Sequence, residues 1–579
     1  MRSAIVKSRN RIATSSRVIA QRLSRWFRGD SSISLASMSW FVTSVAGVVL
    51  VVAYVLGSAA VVNPSEVTPK AVGAPVDPLP HTPPPDPTET HLNWGPSLAN
   101  ETAAFAVVRR MSDEELAGQL LIARYFGSNP AAMRGLFSNF HVGGVIIGSG
   151  SIINGPQTHA LVQEAHQASE ASGRSWPAIV AVDQEGGKVA RLDGIISEMP
   201  TFLAAGAARD KSAVETAFLG MAAEVRGLGF TVNFAPVADA TIGLSDPTIG
   251  SRSAGSDHRN VGESVVAAMD GLIDGGVIPS VKHFPGHGSV TTDSHALMPV
   301  QTRSVEQMQS LDFVPFSMAV DAGAPMIMMG HINVPEWGPR PATIEPAAYQ
   351  YLRTEMGFSG VIVTDSMGMG AVHNPYGSGG STIRALKSGA DIVLMPVDTA
   401  QAHRAIVAAL RDGSLTRSEL EFKAARVVAM MMWQAEISPQ SAPDGDYARQ
   451  YSRDSITVAS PACGQPLVSS TVTISGGSSR ERNALAAALA THGISVRAGG
   501  TSIRLLGRAS SAGNADVVVA LDGPWGLRHS RATHYVGVYG DGTPQLQGLA
   551  DVLAGAALPT AEWPVDVGAL PYPTCGSIG

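Results

Sequence analysis

The densest grouping of reactive side chains is residues 282–295, Lys-His-Phe-Pro-Gly-His-Gly-Ser-Val-Thr-Thr-Asp-Ser-His. Lys282, His283, His287, Asp293 and His295 bring an ammonium, three imidazoles and a carboxylate into fourteen residues. Two chemistries compete for them. Histidines can hold a metal, but spacings of four and eight on a loop are not a ligand signature, and no His-x-His closes the first strand. No metal or other cofactor is therefore expected. In the second reading Asp293, two residues before His295, holds and polarises the imidazole. The result is a proton donor and acceptor whose unperturbed pKa of about 6.5 suits transfer near neutrality. Such a pair needs a nucleophile, and Asp365 is the candidate. It ends the apolar run Val361-Ile362-Val363-Thr364, where a rigidly held carboxylate can attack an electrophilic carbon and form a covalent intermediate. The competing reading of Asp365 is a helix N-cap.

These residues need a frame. After Asn100 short apolar, β-branched runs alternate with helix-like stretches such as Ser212–Leu228 and Asn260–Gly275, the pattern of parallel strands covered by helices. Eight runs begin at or end on Gln119, Val142, Asp183, Phe230, Val277, His331, Asp365 and Asp391. They predict an α/β fold, a (β/α)8 TIM-type barrel over residues 101–435, with a doubly wound sheet as the competitor. Asp183, Asn233, Lys282, His283, His331 and Asp365 sit at or just beyond the C-terminal ends of runs, the face on which barrels carry their sites. Residues 436–579 open on a linker-like stretch. They continue with strand candidates from Ser470, Asp516 and His534 and helices over Glu481–His492 and Thr543–Leu553. A smaller layered α/β domain with a structural role is predicted there.

Residues 1–38 form a basic segment; residues 1–30 alone carry a formal charge of +7, against −14 for the remainder. No charged side chain occurs from Ser31 to Ser65, and residues 39–62 are long and apolar enough to span a hydrocarbon core about 30 Å thick. The flanking arginines predict a signal anchor with the body outside the cytoplasm, or a secreted body if the segment is cleaved. Residues 63–100 hold ten prolines, a semi-extended tether. The acidic body excludes nucleic acid as a partner. Cys463 and Cys575 leave room for one disulfide.

Three segments, Lys-His-Phe-Pro-Gly-His-Gly…Asp-Ser-His at 282–295, Asp-Gln-Glu-Gly-Gly at 183–187 and Val-Thr-Asp-Ser-Met-Gly-Met-Gly-Ala at 363–371, resemble glycoside hydrolase family 3, in its β-N-acetylglucosaminidase branch. The resemblance runs in order from about residue 101 to the C-terminus. It implies a retaining β-N-acetylhexosaminidase with Asp365 as nucleophile, His295 as general acid/base and Asp293 as its orienting partner. It further implies that Asp183, Arg191, Arg252, Lys282 and His283 bind the terminal sugar, with His331 near the pocket. Ser289-Val290 stand where the family usually has Asp-Thr, Lys188 where Arg is common, and Ser366 where a second acid is frequent. The expected substrate is a cell-wall-derived or other glycan bearing N-acetylglucosamine, with peptidoglycan suggested by the resemblance and the outward topology, and the expected state is a monomer. Two alternatives remain open: a surface glycan-binding protein with impaired turnover, and a phosphorylase in which phosphate replaces water.

Overall fold

The computed structural model describes residues 92–578 apart from Ala296 and Arg508, all within one compact unit, His81–Gly579. The predicted basic segment, the anchor at 39–62 and residues 63–91 of the tether lie outside the described residues, while the tether's last three residues, 98–100, already belong to the helix Leu98–Val108. Among the described residues no helix is long and apolar enough to cross a membrane.

All eight predicted runs become strands, in order: Leu121–Tyr125, Gly144–Ile147, Ile179–Val182, Val232–Asn233, Ile278–Pro279 resuming as Val281–Phe284, Met326–Met329, Val361–Thr364 and Val393–Leu394. Most are buried along their whole length, which is why they read as continuous apolar runs rather than alternating ones. From the first strand to the seventh each pairs in parallel with its chain neighbour, giving a curled parallel sheet: a half-barrel of six strands with a three-stranded ladder beside it. The eighth strand pairs with the first (Leu121↔Val393), and a bridge between Val363 and Ile392 links the seventh strand to the residue preceding the eighth. The fifth strand breaks at Ser280, whose N–H donates to the carbonyls of both Asn233 and Ala235.

Helices cover the sheet where a polar cap begins an amphipathic stretch. Asp210 caps Lys211–Gly227 and Asp257 caps His258–Asp274, each carboxylate accepting a backbone N–H of the first turn. These two helices touch backbone to backbone at Gly271, where an added Cβ would lie 2.2 Å from the Glu215 carbonyl oxygen.

The C-terminal layer is a six-stranded sheet in the spatial order Thr457–Ala459, His534–Gly537, Val517–Ala520, Thr501–Leu506, Thr471–Gly476, Ser495–Val496. The first of these is antiparallel to its neighbour and the rest are parallel. The three predicted strands are present; Thr457–Ala459, Ser495–Val496 and Thr501–Leu506 were not foreseen. The helix Thr543–Leu553 matches the expected span. Its companion begins at Ser479 rather than Glu481, because Ser478 and Glu481 form a reciprocal capping box. Cys463 and Cys575 are joined in a disulfide.

Candidate active site

The third strand runs into a small hairpin, Gln184–Gly186 paired with Val189–Ala190, which turns at Gly186 and Gly187 with φ of 101° and 52°. No side chain fits at Gly186: an added Cβ would lie 2.4 Å from the Pro200 carbonyl oxygen. Asn233, at the end of the fourth strand, holds the hairpin's start by accepting from the Gln184 N–H (2.9 Å) and donating to its carbonyl (2.8 Å). It therefore acts as a satisfied scaffold group.

The hairpin buries Glu185, and two cations meet it. Arg252 donates through Nε and Nη2, both at 2.8 Å, and Lys282 Nζ lies 2.6 Å from Oε1 and 3.1 Å from Asp183 Oδ1. Burial works to raise the Glu185 carboxyl pKa, but the Arg252 and Lys282 charges outweigh it and hold the group far below the carboxylate range. Burial works equally against the Lys282 ammonium, and Glu185 with Asp183 reverses that, raising its pKa. Asp183, Lys282 and Arg252 are thus brought together as the sequence implied. Glu185, which joins them, was missed although it lies in the quoted Asp-Gln-Glu-Gly-Gly segment. Arg191, half-buried, lies just past the hairpin and takes no part in this network.

A second buried carboxylate, Asp239, was also missed. It accepts from His283 Nδ1 at 2.7 Å, from the His283 N–H at 3.2 Å and from the His287 N–H at 2.6 Å, fixing the first half of the signature loop. A lone acid within the apolar stretch Phe234–Ala240 was the available signal. His287 is buried, which pushes its imidazole down to about 4 and keeps it neutral. Its Nε2 lies 2.8 Å from Ser294 Oγ. The departures from the family pattern at Ser289 and Val290 are absorbed locally: Ser289 Oγ accepts from Gln301 Nε2 (2.8 Å), and Val290 is buried.

Asp365 follows the seventh strand, its N–H donating to the Met329 carbonyl at 2.9 Å and its Oδ1 accepting from the Ser366 N–H at 2.6 Å. Burial works to raise its pKa; His331, His283, the Ser366 N–H and Lys282 oppose this, and the net direction is down. His331 is itself pushed toward neutrality by burial, so the Ser366 N–H and the Lys282 ammonium are the more durable of these opposing groups. His331 uses both ring nitrogens. Nε2 donates to the Ser366 carbonyl at 2.8 Å, and Nδ1 lies 2.6 Å from Thr343 Oγ1. It fixes the turn that carries Asp365 rather than offering a free nitrogen to the pocket.

On the loop after the fifth strand, Asp293 Oδ1 accepts from His295 Nδ1 at 2.7 Å and from its backbone N–H at 2.9 Å. A carboxylate only accepts, so the Nδ1 proton sits in this bond and Nε2 is left for proton transfer. The His295 side chain is 65% exposed. Its carbonyl accepts from the Gly370 N–H at 3.4 Å, five residues past Asp365, so the loops after the fifth and seventh strands lie side by side. The site thus combines an ionised, rigid carboxylate, an accessible imidazole with a dedicated carboxylate partner, and a charged network beside them. No group of three or more His, Cys, Asp or Glu side chains placed to hold a metal occurs among the described residues.

Comparison with known proteins matches residues 112–430 to the glycosyl hydrolase family 3 N terminal domain. The chain belongs to glycosyl hydrolase family 3. It is 34% identical over 332 residues to the beta-hexosaminidase LpqI of Mycobacterium tuberculosis, covering 55% of this chain and 83% of that one. It is 38% identical over 242 residues to a beta-hexosaminidase of Xylella fastidiosa, covering 41% and 71%. The resemblance to the hexosaminidase branch is thereby borne out. Among solved structures, a glycoside hydrolase family 3 beta-N-acetylglucosaminidase from Paenibacillus sp. superposes with a TM-score of 0.70 at 23% identity, covering 79% of this chain and 99% of that one. At that identity it shows the shared fold.

Proposed function

We propose that this family 3 chain is a retaining β-N-acetylhexosaminidase, working on a (β/α)8 barrel and releasing terminal β-linked N-acetylglucosamine from cell-wall-derived or other glycans. Asp365 attacks the anomeric carbon while His295 Nε2 protonates the leaving oxygen, giving a glycosyl-aspartate and a free aglycone. His295 then takes a proton from water, which displaces Asp365 and releases the sugar with its configuration retained. Asp183, Arg191, Arg252, Lys282 and His283 hold the sugar. The observation that carries the reading is the hydrogen bond between Gly370 and the His295 carbonyl, which brings the two reacting loops together. The test is to incubate the protein with a 5-fluoro N-acetylglucosaminyl fluoride and map the modified peptide. Labelling on Asp365 supports the reading, and labelling elsewhere or none in an active preparation refutes it.

An imidazole as acid/base favours one second reading. A neutral base repels an incoming anion less than a carboxylate does, so phosphate is a candidate acceptor. Incubation with an activated glycoside and phosphate that yields no sugar 1-phosphate dismisses it. The intact Asp293, His295 and Asp365 weigh against a purely glycan-binding role. We further propose an extracytoplasmic body held by the segment at 39–62, as a monomer. The Cys463–Cys575 disulfide supports that placement, because such bonds persist in oxidising compartments.

A further inference from the structure

The C-terminal layer meets the sheet domain at several points, among them Tyr539 at Thr201 and Pro564 at Ser256, and two further contacts fall on the loops that supply the two halves of one ion pair. Glu185 lies on the hairpin after the third strand and Arg252 on the loop after the fourth. At the hairpin's turn Lys188 Nζ meets Asp522 Oδ2 of the layer at 2.6 Å. The Lys188 side chain is 60% exposed, and a pair so placed contributes little to stability. Asp522 nevertheless commits a carboxylate to it, and its other oxygen, Oδ1, is buried with no hydrogen-bond partner among the described residues. Burying such an atom is unfavourable and calls for a reason beyond folding.

Three residues on, Trp525 makes the second contact. It is 4% exposed and packs into the hydrophobic core of the sheet domain instead of that of its own layer. An added Cβ at Gly243 would lie 3.0 Å from the indole nitrogen, so the ring rests on the loop after the fourth strand. That loop is stiff. Asp246 accepts from Thr241 Oγ1 and from the N–H groups of Thr248, Ile249 and Gly250, which lead directly into Arg252. Ile242 donates to the Gly288 carbonyl of the signature loop.

We propose that Asp522 and Trp525 form a clamp that sets the spacing of the Glu185 hairpin and the Arg252 loop, making both of them positioning residues for sugar binding. Asp522 acts through Lys188, and Trp525 acts through Gly243. The proposal rests on the reading that this charged network binds the terminal sugar. The reacting groups Asp365 and His295 stand on other loops, after the seventh and fifth strands, so the clamp bears on binding rather than on chemistry. Asp522 and Trp525 lie beyond residue 430, where the matched family domain ends, while Lys188 and Gly243 lie within it.

The full chain carrying Asp522→Ala tests this with 4-nitrophenyl N-acetyl-β-glucosaminide. KM is expected to rise roughly five- to tenfold with kcat within about twofold, since a displaced binding group costs ground-state and transition-state binding alike. The reversed pair Lys188→Asp/Asp522→Lys is expected to bring KM back to within about twofold of the unaltered protein, which a merely structural role does not predict. Trp525→Ala is expected to raise KM at least as much, with Trp525→Phe as the substitute if the alanine variant fails to fold. Amide hydrogen exchange gives a readout independent of turnover: residues 184–190 and 241–255 are expected to exchange faster in Asp522→Ala. Unchanged KM and exchange overturn the clamp, as does a fall in kcat alone or failure of the reversed pair to restore KM. If the unaltered protein does not cleave the substrate, the proposed activity fails, and the exchange result alone decides whether the clamp exists.

Discussion

Two sheets in this molecule hold buried apolar strands, nearly every strand of the curled sheet and chiefly Thr457–Ala459, Val517–Ala520 and His534–Gly537 in the C-terminal layer, and only one gathers chemistry at its strand ends. In the curled sheet the third, fifth and seventh strands deliver Asp183, Lys282 with His283, and Asp365 toward one another, because curling turns neighbouring strand ends inward. In the C-terminal layer the corresponding ends carry Gly476-Gly477, Gly507 and Leu521-Asp522. An open sheet spreads its ends along a line, and its clearest charge cluster, Asp551 with Arg449 and His492, joins three of its helical segments and their flanks. The difference teaches that strand composition sets the scaffold, whereas curvature decides whether polar residues at strand ends become a site.

That contrast is most severely tested at Asp365. Asp365→Asn keeps the shape and removes the proposed nucleophile, and turnover of 4-nitrophenyl N-acetyl-β-glucosaminide is expected to fall on the order of 10^4-fold. Full activity in this variant breaks the assignment. Next comes Glu185→Gln, which strips the buried counter-charge from Arg252 and Lys282. A loss of about 3–5 kcal/mol is expected in denaturant unfolding, well above the effect of neutralising an exposed acid of the layer such as Asp541. The same residue gives a pH signature. Its folded pKa lies below the unfolded one, so its contribution is complete above the ordinary carboxylate range and is lost as pH falls through the folded value. Thermal scans below about pH 4 should therefore show a steeper decline for the unaltered protein than for Glu185→Gln.

His295→Gln is expected to cost on the order of 10^2-fold with the 4-nitrophenyl glycoside and more with chitobiose, whose sugar leaving group needs protonation. Equal losses on both substrates would remove His295 as the acid. The smallest effect concerns His287. Burial holds it at about 4 against an ordinary 6.5, so the unfolded chain binds its proton first and stability declines as pH drops through that interval. The midpoint temperature should decline less steeply with pH in His287→Asn, by a few degrees over the interval.

Much of the scaffold was legible because buried parallel strands write themselves as unbroken apolar runs, and all eight appear in the expected order. The dyad was legible for a similar reason: Asp293 and His295 are two residues apart, so local geometry brings them together. What stayed hidden depends on distant partners. Glu185 gains its meaning from Arg252, 67 residues away, and Asp239 from His283, 44 residues away. Thr457–Ala459 became a strand only because the distant edge at His534–Gly537 was available to pair with it. His331 sits where a ligand-facing residue was expected, yet Thr343 and the Ser366 carbonyl occupy its nitrogens, which spacing along the chain cannot reveal.

The Cys463–Cys575 bond spans 112 positions and encloses nearly all of the C-terminal layer. A protease that nicks any exposed turn between those two cysteines leaves both pieces covalently tethered. The clipped protein then migrates as a whole molecule until a reductant is added. Such a nicked form would keep Trp525 against the loop it braces, so damage to this part of the chain would first become visible on reduction.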